Sequence, residues 1–303
     1  LGIFSIKDIE AVSGIKSHTL RIWEQRYGII APKRTDSNIR YYDDDDLKFI
    51  LNISILNRHG YKISEIAKMS KDLINETILQ LSGHQNTNYD GHVKNLISCM
   101  LSFDEYGFHK TLTTNIIQQG LETTMVKIVF PFLIEVGILW QVGSIHPSHE
   151  HFASNIIKQK LYVAIDGNVG RYADTRKRFL LFLPESEQHS IGLLFANFVL
   201  RSRGQDVLYL GQEVPLEDLK GAFVAQNPDY ILTLLTSAHI NIDKQKYIDE
   251  ITRYWPHSQL LLAGIQFLDQ SLKLPDNARV IKKMEDFITW VDSIGNNSTG
   301  MLS

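Results

Sequence analysis

Residues Leu183–Gly192 read LPESEQHSIG, and they stand between two apolar runs, RFLLFL before and LLFANFVL after. A short apolar run closed by a proline suits a buried strand, and the longer run beyond suits a helix. The histidine therefore falls in the loop where a strand gives way to a helix. The same rhythm continues from Phe179 onward. RFLLFLP, QDVLYLG, PDYILTLLT, SQLLLAG and ARVIK are buried-strand candidates. Helical stretches are expected to start near Ser190, Leu216, Asp243 and Ile265, with a last one near Glu285. Alternation of this kind predicts a five-stranded, parallel, doubly wound sheet of Rossmann-like form over residues 175–298. In such a sheet, ligands bind at the carboxyl ends of strands. His189 is placed there by sequence alone.

Upstream the alternation of strand and helix gives way to helical steps of three and four. Residues 92–170 carry apolar residues at helical steps in HVKNLISCMLSFDEYGFHKTLTTNIIQQG, LETTMVKIVFPFLIEVGILWQVGS and HPSHEHFASNIIKQKLYVAIDGN, which suits a bundle of four helices. Pro131 should kink or interrupt its helix. Between Ser70 and His92 the chain turns polar, and SGHQNTNYDG has the composition of a linker, set at residues 76–91.

The first 75 residues differ again. Ser5 with Asp8 three residues later forms a capping-box pattern, and Ile6, Ile9 and Val12 share a helical face. Ser13-Gly14 breaks that helix, and Ser17 can cap a second one containing Leu20, Ile22 and Trp23. Two short helices across a glycine turn make a helix-turn-helix candidate. After a loop, IRYY supplies a short strand, so a wing can stand beside the second helix. Arg21, Arg26, Lys33, Arg34 and Arg40 are then spread over helix and wing at positions suited to duplex phosphates, with Tyr27, Tyr41 and Tyr42 available for packing or sugar contacts. The acidic run Asp43–Asp46 precedes another helix, whose dipole favours acids at its start. Trp23, beside Ile22, is expected in the core.

Composition is consistent with this division. The chain has 303 residues, 44% hydrophobic and 21% charged, enough to bury a core in two or three domains. One cysteine, Cys99, excludes a disulfide framework or a cysteine-built zinc site within a single chain. The net charge is only −3, but up to Tyr41 there are seven Lys or Arg against four acids, a local basic excess. The start lacks a basic, apolar leader, and no uninterrupted apolar run approaches membrane-spanning length, so a cytoplasmic protein with no membrane partner is expected.

The ordered motifs FSIKDIEAVSGIKSHTLRIWEQRYGII, RTDSNIRYY and RHGYKISEIAKM resemble the MerR family of transcription regulators through residues 4 to about 70. The resemblance implies a winged helix-turn-helix that binds a double-stranded DNA operator as a homodimer or higher homo-oligomer. It places His18, Thr19, Arg21, Glu24 and Arg26 on or beside the recognition helix, and Arg40 and Tyr42 in the wing, where Arg34 joins them as a DNA-contact candidate by its spacing.

Glu187-Gln-His189-Ser-Ile-Gly192 differs by one residue from Asp-x-His-x-x-Gly, the signature of cobalamin-binding domains like those of methionine synthase and the base-off mutases. The resemblance implies that His189 ligates the cobalt of cobalamin from the lower face. Its other ring nitrogen then needs an acceptor, which Glu187 can be. Gly192, lacking a side chain, lets the cofactor's nucleotide tail pass close to the backbone. The same family implies a tail contact from a Ser or Thr after the third strand, for which Thr233, Thr236 and Ser237 are the candidates, and a Gly-Gly pair ending the fourth strand, here Ala263-Gly264. A loop histidine is also commonly an ordinary satisfied polar residue.

A further constellation, WQVGSIHPSHEHFAS, resembles the cobalamin-dependent photoreceptor regulators of the MerR family. There Trp140 would pack on an upper-face adenosyl group, and Glu150 and His151 would contact its sugar. Gln141 stands where those photoreceptors carry a second cobalt-binding histidine. Two structural alternatives stay open: Trp140 as core with a solvated histidine turn, and a zinc site from His146, His149, His151 and Glu150. The expected function is a DNA-binding regulator that senses adenosylcobalamin, with no enzymatic activity. The alternatives are a regulator whose pocket has drifted through Glu187, Ala263 and Gln141 to another ligand or none, and a corrinoid methyl carrier.

Overall fold

The computed structural model describes residues 4–296 except 14, 36–37, 83–88, 142–144, 175, 238–239, 241 and 270. It divides into two compact units, Leu1–Ala153 and Ser154–Ser303.

The first unit opens with α1 (Ile6–Ser13) and α2 (Ser17–Tyr27). The Ser5 and Asp8 box forms reciprocally: the Ser5 N–H donates to Asp8 Oδ2 at 2.7 Å and the Asp8 N–H to Ser5 Oγ at 3.3 Å. Ser17 does not cap α2; Lys16 holds that position, and Ser17 lies in the first turn. There both its N–H (2.9 Å) and its hydroxyl (2.6 Å) donate to Glu10 Oε2, which clasps α1 to α2. Gly28 closes α2 in the left-handed region, φ 60°, where a glycine carries no Cβ penalty.

The wing is a two-stranded antiparallel pair, β1 (Lys33–Arg34) with β2 (Arg40–Tyr41), in register Lys33 with Tyr41 and Arg34 with Arg40. It leads into α3 (Asp44–Arg58), followed by α4 (Ile63–Ile66) and α5 (Lys71–Ser82). The acidic run has a definite task. Asp43 and Asp46 cap α3 reciprocally, each N–H on the other's carboxylate at 3.0 Å, and Lys33 of the wing pairs with both. Ile9, Leu20, Trp23, Tyr42, Leu47, Ile50 and Ile53 form the buried core beneath.

Helix α5 continues to Ser82, into the stretch expected as linker, and packs on α3 and on a later helix; residues 83–88 lie outside the described set. That later helix is α8 (Phe130–Gln141), preceded by α6 (Asp90–Leu101) and α7 (Glu105–Thr124). Ile138 of α8 packs against the core of the winged segment, so the compact unit runs well past residue 75. Helix α7 breaks at Gly120 (φ 84°), and a π-helical turn over Met125–Val129 leads to Pro131. The proline ring would crowd the carbonyl four residues earlier, and the wider turn accommodates it.

The helical run Glu105–Trp140 contains a window of mean hydropathy 1.6, long and apolar enough to cross a membrane by length and composition. Reading uninterrupted apolar letters missed it. Its Leu121, Met125, Ile128, Val129 and Phe132 are buried against the protein. Helix α9 (Pro147–Asp166) begins in this unit and ends in the second.

The second unit carries β3 (Arg178–Pro184), α10 (Ile191–Ser202), β4 (Asp206–Val214), α11 (Leu219–Gln226), β5 (Tyr230–Leu234), α12 (Lys244–Tyr254), β6 (Gln259–Ala263), β7 (Ala278–Ile281) and α13 (Met284–Asn296). All five strands are parallel, in the order β4-β3-β5-β6-β7. Leu180, Phe182, Ile231, Leu260 and Leu262 pack with Ile248 and Ile251 of α12 on one face, while α10 and α13 cover the other. Burial on both faces is why these strands are continuous apolar runs. The expected helix near Ile265 is only a 3-10 turn, Ile265–Leu268: Gly264 enters it at φ 96° and Asp269 leaves it extended.

Candidate functional site

Strand order reverses between β3 and β5, since β4 lies on one side of β3 and β5 on the other. The loops after these two strands therefore diverge to opposite faces and leave the crevice where doubly wound sheets bind ligands. Glu187 joins the two loops. Its side chain is fully buried, and its carboxylate accepts four hydrogen bonds. Oε1 takes the His189 N–H at 3.0 Å and the His189 ring Nδ1 at 2.6 Å. Oε2 takes the N–H groups of Thr236 at 2.7 Å and Ser237 at 2.8 Å, in the loop after β5. Burial by itself would raise the Glu187 carboxyl; the His189 ring and the Ser237, His189 and Thr236 amides outweigh it and hold the group at about 2.

A carboxylate only accepts, so the short contact fixes the proton on Nδ1 and leaves Nε2 as the lone-pair nitrogen of the neutral ring. The imidazole itself is 62% exposed while Glu187 is 0% exposed. This is the donor set a histidine-bound metal requires: an accessible ring whose second nitrogen is held by an anchored carboxylate. Ser186, just before, has φ 66°, and Glu213 at the end of β4 has φ 58° and accepts from Gln188 Nε2 at 2.9 Å. Backbone strain thus gathers on the loops around the histidine.

The other expected positions are also held by local contacts. A Cβ at Gly192 would stand 2.8 Å from Leu234 Cδ2, so α10 lies close on β5 here and a larger residue would have to displace the end of the Leu234 side chain. Thr233 is buried and its Oγ1 lies 3.2 Å from Tyr247 Oη. Ser237 contributes its backbone to Glu187. A Cβ at Gly264 would run into the Leu235 backbone. Tyr247 of α12, which no sequence motif singled out, closes the sheet face beside Thr233 together with Ile248 and Ile251.

In the first unit, Trp140 is the penultimate residue of α8 and half-buried, and Glu150 and His151 lie in the first turns of α9. Glu150 Oε2 and His151 Nδ1 pair at 2.7 Å. His149 Nδ1 accepts the His146 N–H at 3.1 Å, and its ring stacks on Phe103 at 4.6 Å. Among the described residues no three His, Cys, Asp or Glu side chains converge as a metal site, which removes support for the zinc alternative. The side chain of Gln141 lies outside the described set.

On α2, His18, Arg21 and Arg26 are exposed, Thr19 is half-buried with Oγ1 3.3 Å from His18 Nε2, and Trp23 is buried as expected. Glu24 binds Arg40 side-on, 3.2 Å to Nε and 3.3 Å to Nη2, and so ties the wing to α2. Arg34 is exposed at the wing and donates to the carbonyl and side chain of Asn38. Of the two roles expected for Tyr42, packing and sugar contact, the structure shows packing: at 1% exposure it belongs to the core, paired through its backbone with Phe4, so it supports the wing from beneath.

Residues 4–73 match the family model for MerR HTH family regulatory proteins, and residues 93–165 match a B12 binding domain. The chain thus joins a MerR-type HTH segment to a B12-binding segment. It is 29% identical to the HTH-type transcriptional repressor CarH of Myxococcus xanthus over 73% of this chain and 74% of that protein. To CarA, an HTH-type transcriptional repressor of the same organism, it is 26% identical over 86% of each. A monomethylamine corrinoid protein of Methanosarcina barkeri shares the fold at TM-score 0.54 and 11% identity, covering 66% of this chain and 96% of that one. The regulator's relatives place it among transcription factors rather than enzymes.

Proposed function

We propose that the regulator senses adenosylcobalamin, with His189 as the lower cobalt ligand, and binds operator DNA through α2 and the wing as a homo-oligomer. The carrying observation is the Glu187 and His189 pair at the switch point, held at 2.6 Å and anchored to the loop after β5. Glu187 keeps the imidazole in one tautomer and raises its basicity, so His189 is ready to coordinate before a ligand arrives. Trp140, Glu150 and His151 are the proposed grip on an upper-face adenosyl group, and the 2.7 Å pair between the last two supports a fixed polar edge there. Adenosylcobalamin, when bound, supplies a cobalt-carbon bond that visible light breaks. Contacts that distinguish the adenosylated from the bare form give the differential affinity any switch between assemblies needs.

Arg21, Arg26, Arg34 and Arg40 are proposed as phosphate contacts, with His18 and Thr19 at the start of α2. Glu24 acts through Arg40 as a positioning residue, and the protein is expected to work in the cytoplasm. The test is retention of colour: purified protein incubated with adenosylcobalamin in the dark and desalted should stay red, and His189→Ala should lose the ligand with its circular dichroism unchanged. Equal retention by both proteins would remove His189 from the site.

The second reading, a regulator whose pocket has left cobalamin, is favoured by one observation. Thr233 and Ala263, at the positions of the nucleotide-tail slot, are buried at 0% and 4% exposure. Absence of any red colour in the parent protein would select it.

A further inference from the structure

Resting on the DNA-binding reading above, we infer that Ile22 reads a thymine methyl group at the centre of the α2 contact. Among the described side chains of residues 4–70, two large apolar groups stand exposed, Ile22 at 48% and Ile39 at 63%. Ile22 is on α2 and Ile39 directly precedes Arg40 of the wing, the strand that Glu24 ties to α2. Exposure of apolar surface is thus confined to the two elements proposed to meet DNA.

The helical wheel sharpens the assignment. At about 100° per residue, the buried face of α2 is centred on Leu20 and Trp23. His18, Ile22 and Gln25 project from the opposite side, and Arg21 and Arg26 flank them on either edge. A helix entering the major groove places its central outward residues on base edges and its flanks on the two phosphate backbones. Flanking arginines with three shorter side chains between them match that division. Isoleucine carries no donor or acceptor. The feature of a major-groove edge it can recognise is the thymine C5-methyl, the one apolar group there.

The test uses the full-length protein and an operator selected from random duplexes. Each thymine is replaced in turn by deoxyuridine, which removes only the methyl group. The parent protein should bind about fourfold more weakly at one or two positions, the burial of one methyl group converted at about 1.4 kcal/mol per tenfold. Ile22→Ala should lose that sensitivity at the same positions and remain sensitive nowhere else, while Ile22→Val, which keeps two methyl groups, should retain part of it. Ile22 is surface-exposed, and equal melting temperatures would show that both variants fold. Uniform tolerance of deoxyuridine by the parent, or undiminished sensitivity in Ile22→Ala, would overturn the inference while leaving DNA binding intact. Recovery of no duplex at all would overturn the DNA-binding reading itself.

Discussion

Replacing Glu187 by alanine should loosen two loops at once. The substitution removes an acceptor that is 0% exposed and leaves the amides of His189, Thr236 and Ser237 without their carboxylate. Net hydrogen bonds to charged groups contribute roughly 1.5–3 kcal/mol each, but neighbours sharing one acceptor do not add, so a total of about 3–4 kcal/mol is expected. The carboxyl's displacement from 4.5 to about 2 gives about 3 kcal/mol by linkage, in agreement. The assay is hydrogen exchange read by mass spectrometry on the unliganded full chain. Peptides spanning 183–192 and 231–237 should exchange about a hundredfold faster in the variant, the equivalent of about 3 kcal/mol. The melting temperature of this unit should fall by about 6–12 °C. Glu187→Gln, which keeps one acceptor oxygen, should lie between. Unchanged protection of Thr236 and Ser237 in Glu187→Ala would show that the carboxylate does not join the loops, and the preorganisation argued for His189 would fail with it.

Arg21→Ala and Arg40→Ala should each weaken operator binding uniformly across sequences and reduce the salt slope by about one unit; unchanged affinity and slope in both would take them off the interface. Adenosylcobalamin in the dark should favour a larger assembly with tighter DNA binding, and illumination should reverse it; identical elution in size-exclusion chromatography before and after light, with ligand shown to be bound beforehand, would refute the light response. Glu10 is held at about 2 chiefly by the Ser17 hydroxyl and amide, against an ordinary 4.5. Its contribution is present above the ordinary value and is lost as pH falls from 4.5 toward 2, so Glu10→Gln should flatten acid unfolding over that window, and superimposable acid limbs for parent and variant would refute the clasp.

The sheet was legible because burial on both faces leaves unbroken apolar runs, and all five strands lie where RFLLFLP, QDVLYLG, PDYILTLLT, SQLLLAG and ARVIK stand. Parallel order at the switch point follows from helices between the strands. The apolar turn after Gly264 looked helical because composition does not record a left-handed entry residue. Glu10 was invisible as a clasp because its partner, Ser17, had an equally good reading as a cap. For Tyr42 packing and sugar contact read alike in sequence, and packing holds because its side chain turns into the core just beyond the two-residue strand. At the ligand site, spacing paired Glu187 with His189 correctly. The bonds from Thr236 and Ser237 come from a loop some fifty residues away and leave no mark in a local pattern.

The neighbours Ala263 and Gly264 carry a lesson about substitution. Gly264 sits at φ 96° with its α-carbon turned against the Leu235 backbone, so any side chain meets main chain that cannot step aside. Ala263 ends β6 in an extended, paired position, where a methyl group is compatible with the strand. Two adjacent letters that look interchangeable in a signature are therefore held by different constraints, one by the chain's own path and the other by whatever must pass beside it. Drift in ligand should show first at position 263, and a relative that lost Gly264 would have had to rebuild the close approach of the segments leaving β5 and β6.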